Sequence, residues 1–355
     1  MASDKAPNQA ILRPPSIRRA TTGSSLFGGN VADTPTAAID DVDRALVRHL
    51  LADSRMSNRR LAQQVRISES AVSTRLRKLM DSGALVFTAV IDWEKAGFEW
   101  WVILLIKTRK RSAVDVASDI GGLAQCASTA VVLGSHDLIA YLLVRDRAEL
   151  REVIDKLGSI DGVAELDVEL ATDTQVSALG RRLYLAMDPT PIRLPAPCIE
   201  LDDLDLSILQ ALIDDGRQSS RNIARKFGVS EGTIRARISR MTESGLARVV
   251  AMVEPVAFGL AGVAAIIMLH AERARIDAIV KEFTAMPNVT FVAVCLGNWD
   301  LHVGVFAADA AELMEIVGSR VQAVDGVLAA DTLLLVDIVR INPCLKRVSP
   351  FDSMV

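Results

Sequence analysis

From residue 42 onward, apolar positions recur at helical spacing. Val42, Leu46 and Leu50 form one stripe behind an acidic start that suits the positive end of a helix dipole. A second helix is expected after Ser57 as N-cap, burying Leu61, Ala62 and Val65. After a break at Arg66-Ile67, Ser68 caps a third helix with Val72, Leu76 and Leu79 on its inner stripe. Ser70, Ser73, Thr74, Arg75, Arg77 and Lys78 remain for its other faces. Beyond Gly97 the pattern changes to strands near 100–107, 129–133, 138–144 and 163–170, with amphipathic helices near 113–120 and 147–157. The order β-α-β-β-α-β predicts a ferredoxin-like antiparallel sheet with both helices on one face.

The same pattern then returns. Asp40-Asp41-Val42-Asp43 matches Asp202-Asp203-Leu204-Asp205, and residues 39–97 align with 201–259 at 16 identities in 59 ungapped positions. The second copy has a Ser219 cap, an Ile223, Ala224 and Phe227 core, a Gly228-Val229 turn, a Ser230 cap and an Ile234, Ile238 and Met241 stripe. Gly228 suits a turn with positive φ, whereas Arg66 at the equivalent place is strained. One inserted residue later, Leu133-Gly134-x-x-Asp137-Leu138 matches Leu296-Gly297-x-x-Asp300-Leu301. Strands near 263–270, 290–296, 301–306 and 327–338, with helices near 274–285 and 309–322, complete the second copy. Two copies are too few for a solenoid. The chain is a tandem duplication of a two-part module.

The expected fold class is therefore α+β, with two helix-turn-helix (winged-helix-like) DNA-binding domains, each followed by a ferredoxin-like βαββαβ domain. The expected divisions are 1–38, 39–90, 91–180, 181–199, 200–252 and 253–345. Residues 1–38, rich in Pro, Ser, Thr, Ala and Gly, read as a disordered, mildly basic tail or an auxiliary arm touching DNA. Residues 181–199 hold Pro189, Pro191, Pro195 and Pro197 and read as a stiff extended spacer that cannot continue a helix or ladder.

Charge changes the picture. A net charge of −4 argues against nucleic acid when taken over the whole chain. Yet residues 54–79 and 216–241 each carry seven basic side chains against one Glu, leaving −16 on the remainder. Two cationic regions on an acidic body are what local phosphate attraction requires. A third helix presenting hydroxyl, Arg and Lys side chains can enter a major groove, read base edges and pin phosphates. Base contacts are assigned to Ser70, Ser73, Thr74 and Arg77 in one copy and to Thr233, Arg235, Ala236 and Ser239 in the other. Arg59, Arg75, Lys78, Arg221, Arg237 and Arg240 are left to hold phosphate or to pack against their domain. The plain alternative is a solvated helix face; its recurrence in register favours double-stranded DNA.

Aromatic residues make up only 4 % of the chain, against a large all-β protein. No apolar run reaches the roughly 18–20 residues of a membrane span, and no signal peptide is evident, so a soluble, cytoplasmic, nucleoid-associated protein is expected. The four cysteines lack CxxC spacing, and no metal-ligand, phosphate-loop or catalytic constellation stands out, so neither a cofactor nor a metal is expected.

From about 39 to 341, twice over, the chain resembles the leucine-responsive regulatory protein (Lrp)/AsnC transcription regulators. The likeness rests on the acidic opening helix and on Ile67-Ser68-Glu69-Ser70-x-Val72-x-x-Arg75-Leu76-x-x-Leu79-x-x-x-Gly83 with its second-copy counterpart. The βαββαβ pattern and the Gly-x-x-Asp turns complete it. The resemblance implies DNA binding by the helical parts, and dimerisation with sensing of a small effector such as an amino acid by the sheet parts. By position it nominates Gly134, His136, Asp137, Gly297, Trp299 and Asp300 for the effector. The alternative reading is a pair of hairpin turns in which Asp caps local N–H groups.

Typical members of that family carry one module. Here two diverged modules are joined, so the sheets are expected to pair within one chain as a pseudo-dimer with unequal half-sites, and further homo-oligomers are expected. The competing readings are an architectural, nucleoid-type DNA binder and an enzyme like the sirohaem decarboxylases. Against the enzyme, His49, His136, His270 and His302 do not recur between the copies, and His270 and His302 read as satisfied core histidines.

Overall fold

The structure, a computed structural model, describes residues 10–13, 39–183, 191–342 and 344–347. It opens with a short strand, β1 (Ala10–Leu12). Three helices follow: α1 (Asp41–Ala52), α2 (Asn58–Val65) and α3 (Glu69–Asp81). Each starts where a side-chain oxygen caps an orphan N–H. Asp40 accepts from Asp43, Ser57 from Arg60 and Ser68 from Ala71. The turn between α2 and α3 passes through Arg66 in the left-handed region at φ 59°, and the second copy passes through Gly228 at φ 69°.

A strand β2 (Leu85–Asp92) leads into β3 (Trp100–Thr108), α4 (Ala113–Gly121), β4 (Cys126–Leu133), β5 (Leu138–Val144), α5 (Arg147–Gly158) and β6 (Val163–Val176). After β7 (Ile192–Leu194) the second copy repeats the series. Its head is α6 (Asp203–Asp214), α7 (Ser220–Phe227), α8 (Glu231–Glu243) and β8 (Ala247–Val253). Its sheet domain is β9 (Val263–Ala271), α9 (Ile276–Ala285), β10 (Val289–Leu296), β11 (Leu301–Ala307), α10 (Ala310–Glu315) and β12 (Val327–Ile341), and β13 (Leu345–Lys346) ends the described chain.

The two sheets, β4-β5-β3-β6 and β10-β11-β9-β12, have the ferredoxin-like strand order and join through their edges into one closed eight-stranded barrel. The long last strands make the joints. β6 pairs with β3 along its first part and with β10 along its end, where Ala171 lies opposite Cys295. β12 does the same with β9 and β4, Leu335 lying opposite Val132. On β3, Val102, Leu104 and Ile106 pack toward α4 and α5, while Ile103 and Leu105 point between the sheets with Val132, Ile139, Ile266, Met268 and Leu333. A strand buried on both faces explains why this run is apolar without alternation.

The two heads share a second joint that the hydrophobic pattern did not reveal. β2 and β8 pair antiparallel from Leu85 opposite Val253 to Ile91 opposite Ala247. Leu85, Phe87, Ala251 and Val253 belong to the first head's core, and Ala89, Ile91 and Ala247 to the second head's. One ribbon thus carries both heads. β13 extends it on the outer side of β2, and among the described residues no helix is long and apolar enough to cross a membrane.

Most of the expected tail, and residues 184–190 of the expected spacer, lie outside the described residues. Where the two segments are described, they correct the expectation of disorder and of a stretch unable to join a ladder. Ala10–Leu12 pairs antiparallel with Ile192–Leu194. Leu12, Ile192 and Leu194 are buried in the second head's core, and Gln210 exchanges two hydrogen bonds with the Arg13 backbone. The prolines bracket β7 rather than interrupt it, so alternation sends Ile192 and Leu194 inward while Arg193 reaches Glu149 at 2.9 Å.

Replacing Arg66 by Gly is expected to stabilise the first head by about 1 kcal/mol, because a Cβ in the left-handed region costs roughly that much. Gly228→Ala should cost the second head a similar amount, since a Cβ there meets open space and only the backbone conformation is penalised. Urea unfolding of the two variants reads both signs; equal effects of one sign would contradict the assignment.

Candidate nucleic-acid interface and effector turns

The basic side chains of each third helix divide into two groups. Arg75 turns back to the start of α1, its Nη1 lying 2.7 Å from Asp40 Oδ2 and 2.9 Å from Asp43 Oδ1. Arg237 repeats this, 2.7 Å from Asp202 and 2.9 Å from Asp205, and Arg240 adds a second guanidinium to Asp205. Asp43 and Asp205 are buried and also close the capping boxes of α1 and α6. Arg75, Arg237 and Arg240 therefore clamp their helices to the domain, the packing role left open for them, and their charge is already balanced. Recurrence of the Asp, Asp and Arg together in both copies was the signal for this clamp.

The second group faces outward. Ser70, Thr74, Arg77 and Lys78 on α3 are exposed, and Ser73 is half-buried. Among the described residues Arg77 and Lys78 have no ion-pair partner. On α8, Arg235, Ala236 and Ser239 are exposed, with Arg235 paired to Glu231 along the helix and Ser239 bonded to Glu243. Thr233, half-buried, joins the Ser230 cap at 2.8 Å. Arg59 and Arg221 are exposed on the second helices. Arg217, counted among the basic residues of the second window, is withdrawn: it donates to Met56 O at 3.0 Å and lies over the Phe87 ring, binding one head to the other.

The Gly-x-x-Asp turns sit where the two copies meet. A Cβ on Gly134, at φ 151°, would strike Thr332 O and Leu333 of β12, and one on Gly297 would strike Glu169 of β6. Each turn therefore rests on the other copy's last strand. Asp137 accepts from Thr108 N at 2.7 Å, and Asp300 accepts from Ala271 N at 3.0 Å, so both carboxylates hold a strand end. The residues between differ. His136 bridges Ser135 and Asp167 at 2.9 and 3.2 Å, whereas Trp299 stacks on His270 with ring centres 4.3 Å apart. Asp300 also pairs with Arg273 at 3.1 Å. His270 is thus half-exposed at a turn and not a core residue, while His302 is fully buried beside Glu169.

Two helix-turn-helix heads on one ribbon, mounted on a barrel of paired ferredoxin-like domains, give the architecture of a DNA-binding protein. A model of winged helix-turn-helix DNA-binding domains matches residues 39–86 and 201–248, and the Lrp/AsnC ligand binding domain matches 102–177 and 264–343. The chain belongs to the Lrp/AsnC family of transcriptional regulators. An uncharacterised HTH-type transcriptional regulator of Pyrococcus horikoshii is 31 % identical over 141 residues, covering 39 % of this chain and 89 % of that protein. Another HTH-type regulator of the same organism is 28 % identical over 126 residues, covering 35 % and 83 %. A crystal structure of a siroheme decarboxylase with an iron-uroporphyrin III analogue has a TM-score of 0.61 at 14 % identity, covering 86 % of this chain and 95 % of its own. At that identity the likeness is one of fold.

The clamp sets an acid limit. Asp40 is held below the usual carboxylate range by the Asp43 N–H and then by Arg75, and Asp202 by Arg237 and then by the Asp205 N–H. A carboxylate with a depressed folded pKa contributes stability that is complete above its unfolded value, about 4. That stability is lost as pH falls through the folded value. Arg75→Ala and Arg237→Ala should unfold their heads at lower urea concentration near neutrality, and the deficit should vanish at low pH where the wild type has lost the clamp. A deficit unchanged down to pH 2 would contradict it.

Proposed function

We propose that one chain engages an asymmetric double-stranded DNA site with both third helices, as a sequence-specific regulator whose grip is adjusted by a small effector such as an amino acid. The observation that carries this reading is the sorting of charge on α3 and α8. The inward arginines are matched to carboxylates, while Thr74, Arg77 and Lys78, with Arg235 and Ser239, are left on the outer face. Ser70, Ser73, Thr74 and Arg77 are assigned to bases in one half-site and Thr233, Arg235, Ala236 and Ser239 in the other. Lys78, Arg59 and Arg221 are assigned to phosphates. The capped starts of the helices add N–H donors for phosphate.

The effector is assigned to the turns Gly134, His136, Asp137 and Gly297, Trp299, Asp300, whose position against the opposite copy lets a ligand bear on both sheets at once. Because His136 and Trp299 differ, the two sites are assigned different affinities. A cytoplasmic, nucleoid-associated regulator follows from this reading, with no catalytic role. An architectural binder would cover DNA broadly instead of occupying a few sharp sites. A decarboxylase would acquire a tetrapyrrole absorption band, which this reading does not expect.

Footprinting should reveal two unequal half-sites about one helical turn, ~34–36 Å, apart or a multiple of it. A perfect palindrome protected equally on both sides would contradict asymmetry. Lys78→Ala, assigned to phosphate, should lower the salt slope of binding by about 1 without changing sequence preference. Arg77→Ala and Arg235→Ala, assigned to bases, should each cost about 1–3 kcal/mol at one half-site only. Thermal melting with a panel of amino acids reads the effector. A complete absence of shifts would remove the sensory part of the proposal and leave the DNA part standing.

A further inference from the structure

Inside the barrel, Glu169 on β6, Cys295 on β10 and His302 on β11 are completely buried, and one ligand-capable atom of each lies within 4.8 Å of the others. The ladders place all three on the inner face. Glu169 stands opposite Ile103, Cys295 opposite Ala171, and His302 opposite Ala293 and Met268. In the other half of the barrel the equivalent positions are Leu333, Val132 and Ile139, all three packed in the apolar core between the sheets. The fold itself therefore asks for no charge or sulfur at this place.

The cluster is also incompletely satisfied. Glu169 Oε2 is hydrogen-bonded to His302 Nε2, and Glu169 Oε1 accepts from Trp299 N at 3.2 Å. Among the described residues His302 Nδ1 is buried with no hydrogen-bond partner. The Cys295 sulfur has only a long contact of 3.8 Å to Ala293 O. Tyr141, opposite Ile103 on the same face, has a buried hydroxyl that is likewise without a partner among the described residues. Buried polar groups seldom stay unpaired without a reason.

We propose that Glu169, Cys295 and His302 form a binding site for a late first-row divalent transition ion of the Zn2+ type. A thiolate, an imidazole and a carboxylate suit such an ion, whereas Mg2+ and Ca2+ demand oxygen ligands alone. Three protein ligands leave one position for a further oxygen. On binding, the Cys295 thiol gives its proton to solvent and the sulfur bonds the metal, so uptake is accompanied by proton release. The Glu169 bond to Trp299 N places the ion behind the Gly297–Asp300 turn. Loading stiffens that turn and leaves the Gly134–Asp137 turn unaffected. This site is independent of whether the proposed effector or DNA site is correct.

The test is titration of the chelator-stripped full-length chain with Co2+, followed by Zn2+. The expected result is a thiolate-to-cobalt charge-transfer band that saturates at one ion per chain and is displaced by Zn2+. His302→Gln should weaken Co2+ binding by more than the about 10–100-fold that loss of an outer-shell partner costs. The triple variant Glu169→Leu, Cys295→Val, His302→Ile carries the aliphatic trio of the other half and should fold without the band. Cys198→Ser, which removes the exposed thiol, should keep it. Absence of the band in the wild type, its persistence in the triple variant, or its loss in Cys198→Ser would overturn the proposal. Should the triple variant fail to fold, X-ray absorption of the Zn2+-loaded wild type decides: one sulfur with nitrogen and oxygen supports the site, and a shell without sulfur refutes it.

Discussion

Strand edges with unmet backbone hydrogen bonds are the constraint from which this architecture follows. A four-stranded ferredoxin-like sheet ends in two open edges, and an open edge invites association. Here β6 and β12 run past their own partners, and their surplus residues pair with β10 and β4 of the opposite copy. The same solution recurs in the heads, where β2 and β8 complete each other. Neither copy satisfies its backbone alone. The relative placement of the two third helices is accordingly fixed by two sets of ladders rather than by the connecting segment.

Within that frame, electrostatics separates clamped cations from outward-facing ones residue by residue. Asp40 and Asp43, or Asp202 and Asp205, lie at a helix start where negative charge is already favoured, and they draw in the nearest arginine of the third helix. On the first copy's third helix, Arg77 and Lys78 have no such partner among the described residues and stay in solvent. A count of positive charge over the window overstates what DNA can meet. Three of the second window's seven cations are spent on the clamp or on the contact between heads.

Helix starts and the strand order were legible because they depend on local chemistry. Ser57, Ser68, Ser219 and Ser230 cap where their spacing from the apolar stripes predicts, and Arg66 takes the strained turn conformation that Gly228 adopts freely. What escaped was non-local. The pairing of β2 with β8 brings together segments whose apolar runs do not specify a partner, and β1 with β7 joins residues 180 to 184 positions apart. The Gly-x-x-Asp turns themselves were legible from their spacing, yet that spacing could not tell that Asp137 and Asp300 are occupied by strand-end N–H groups. Glu169 and His302 are 133 residues apart and come from different copies, so no local motif could announce them.

Fusion of the two copies changes what such a core can hold. In a symmetric dimer every interior residue appears twice, and a buried glutamate or histidine imposes its desolvation cost on both halves. In one chain the copies vary separately. Leu333, Val132 and Ile139 keep one half of the barrel apolar, while Glu169, Cys295 and His302 make the other half polar. The turns have diverged along the same line, with His136 bound to Asp167 on one side and Trp299 tied through its N–H to Glu169 on the other. The polar core and the altered turn are thus neighbours, joined by a hydrogen bond. That places the divergence of the sheet domains at the barrel centre as much as at its surface.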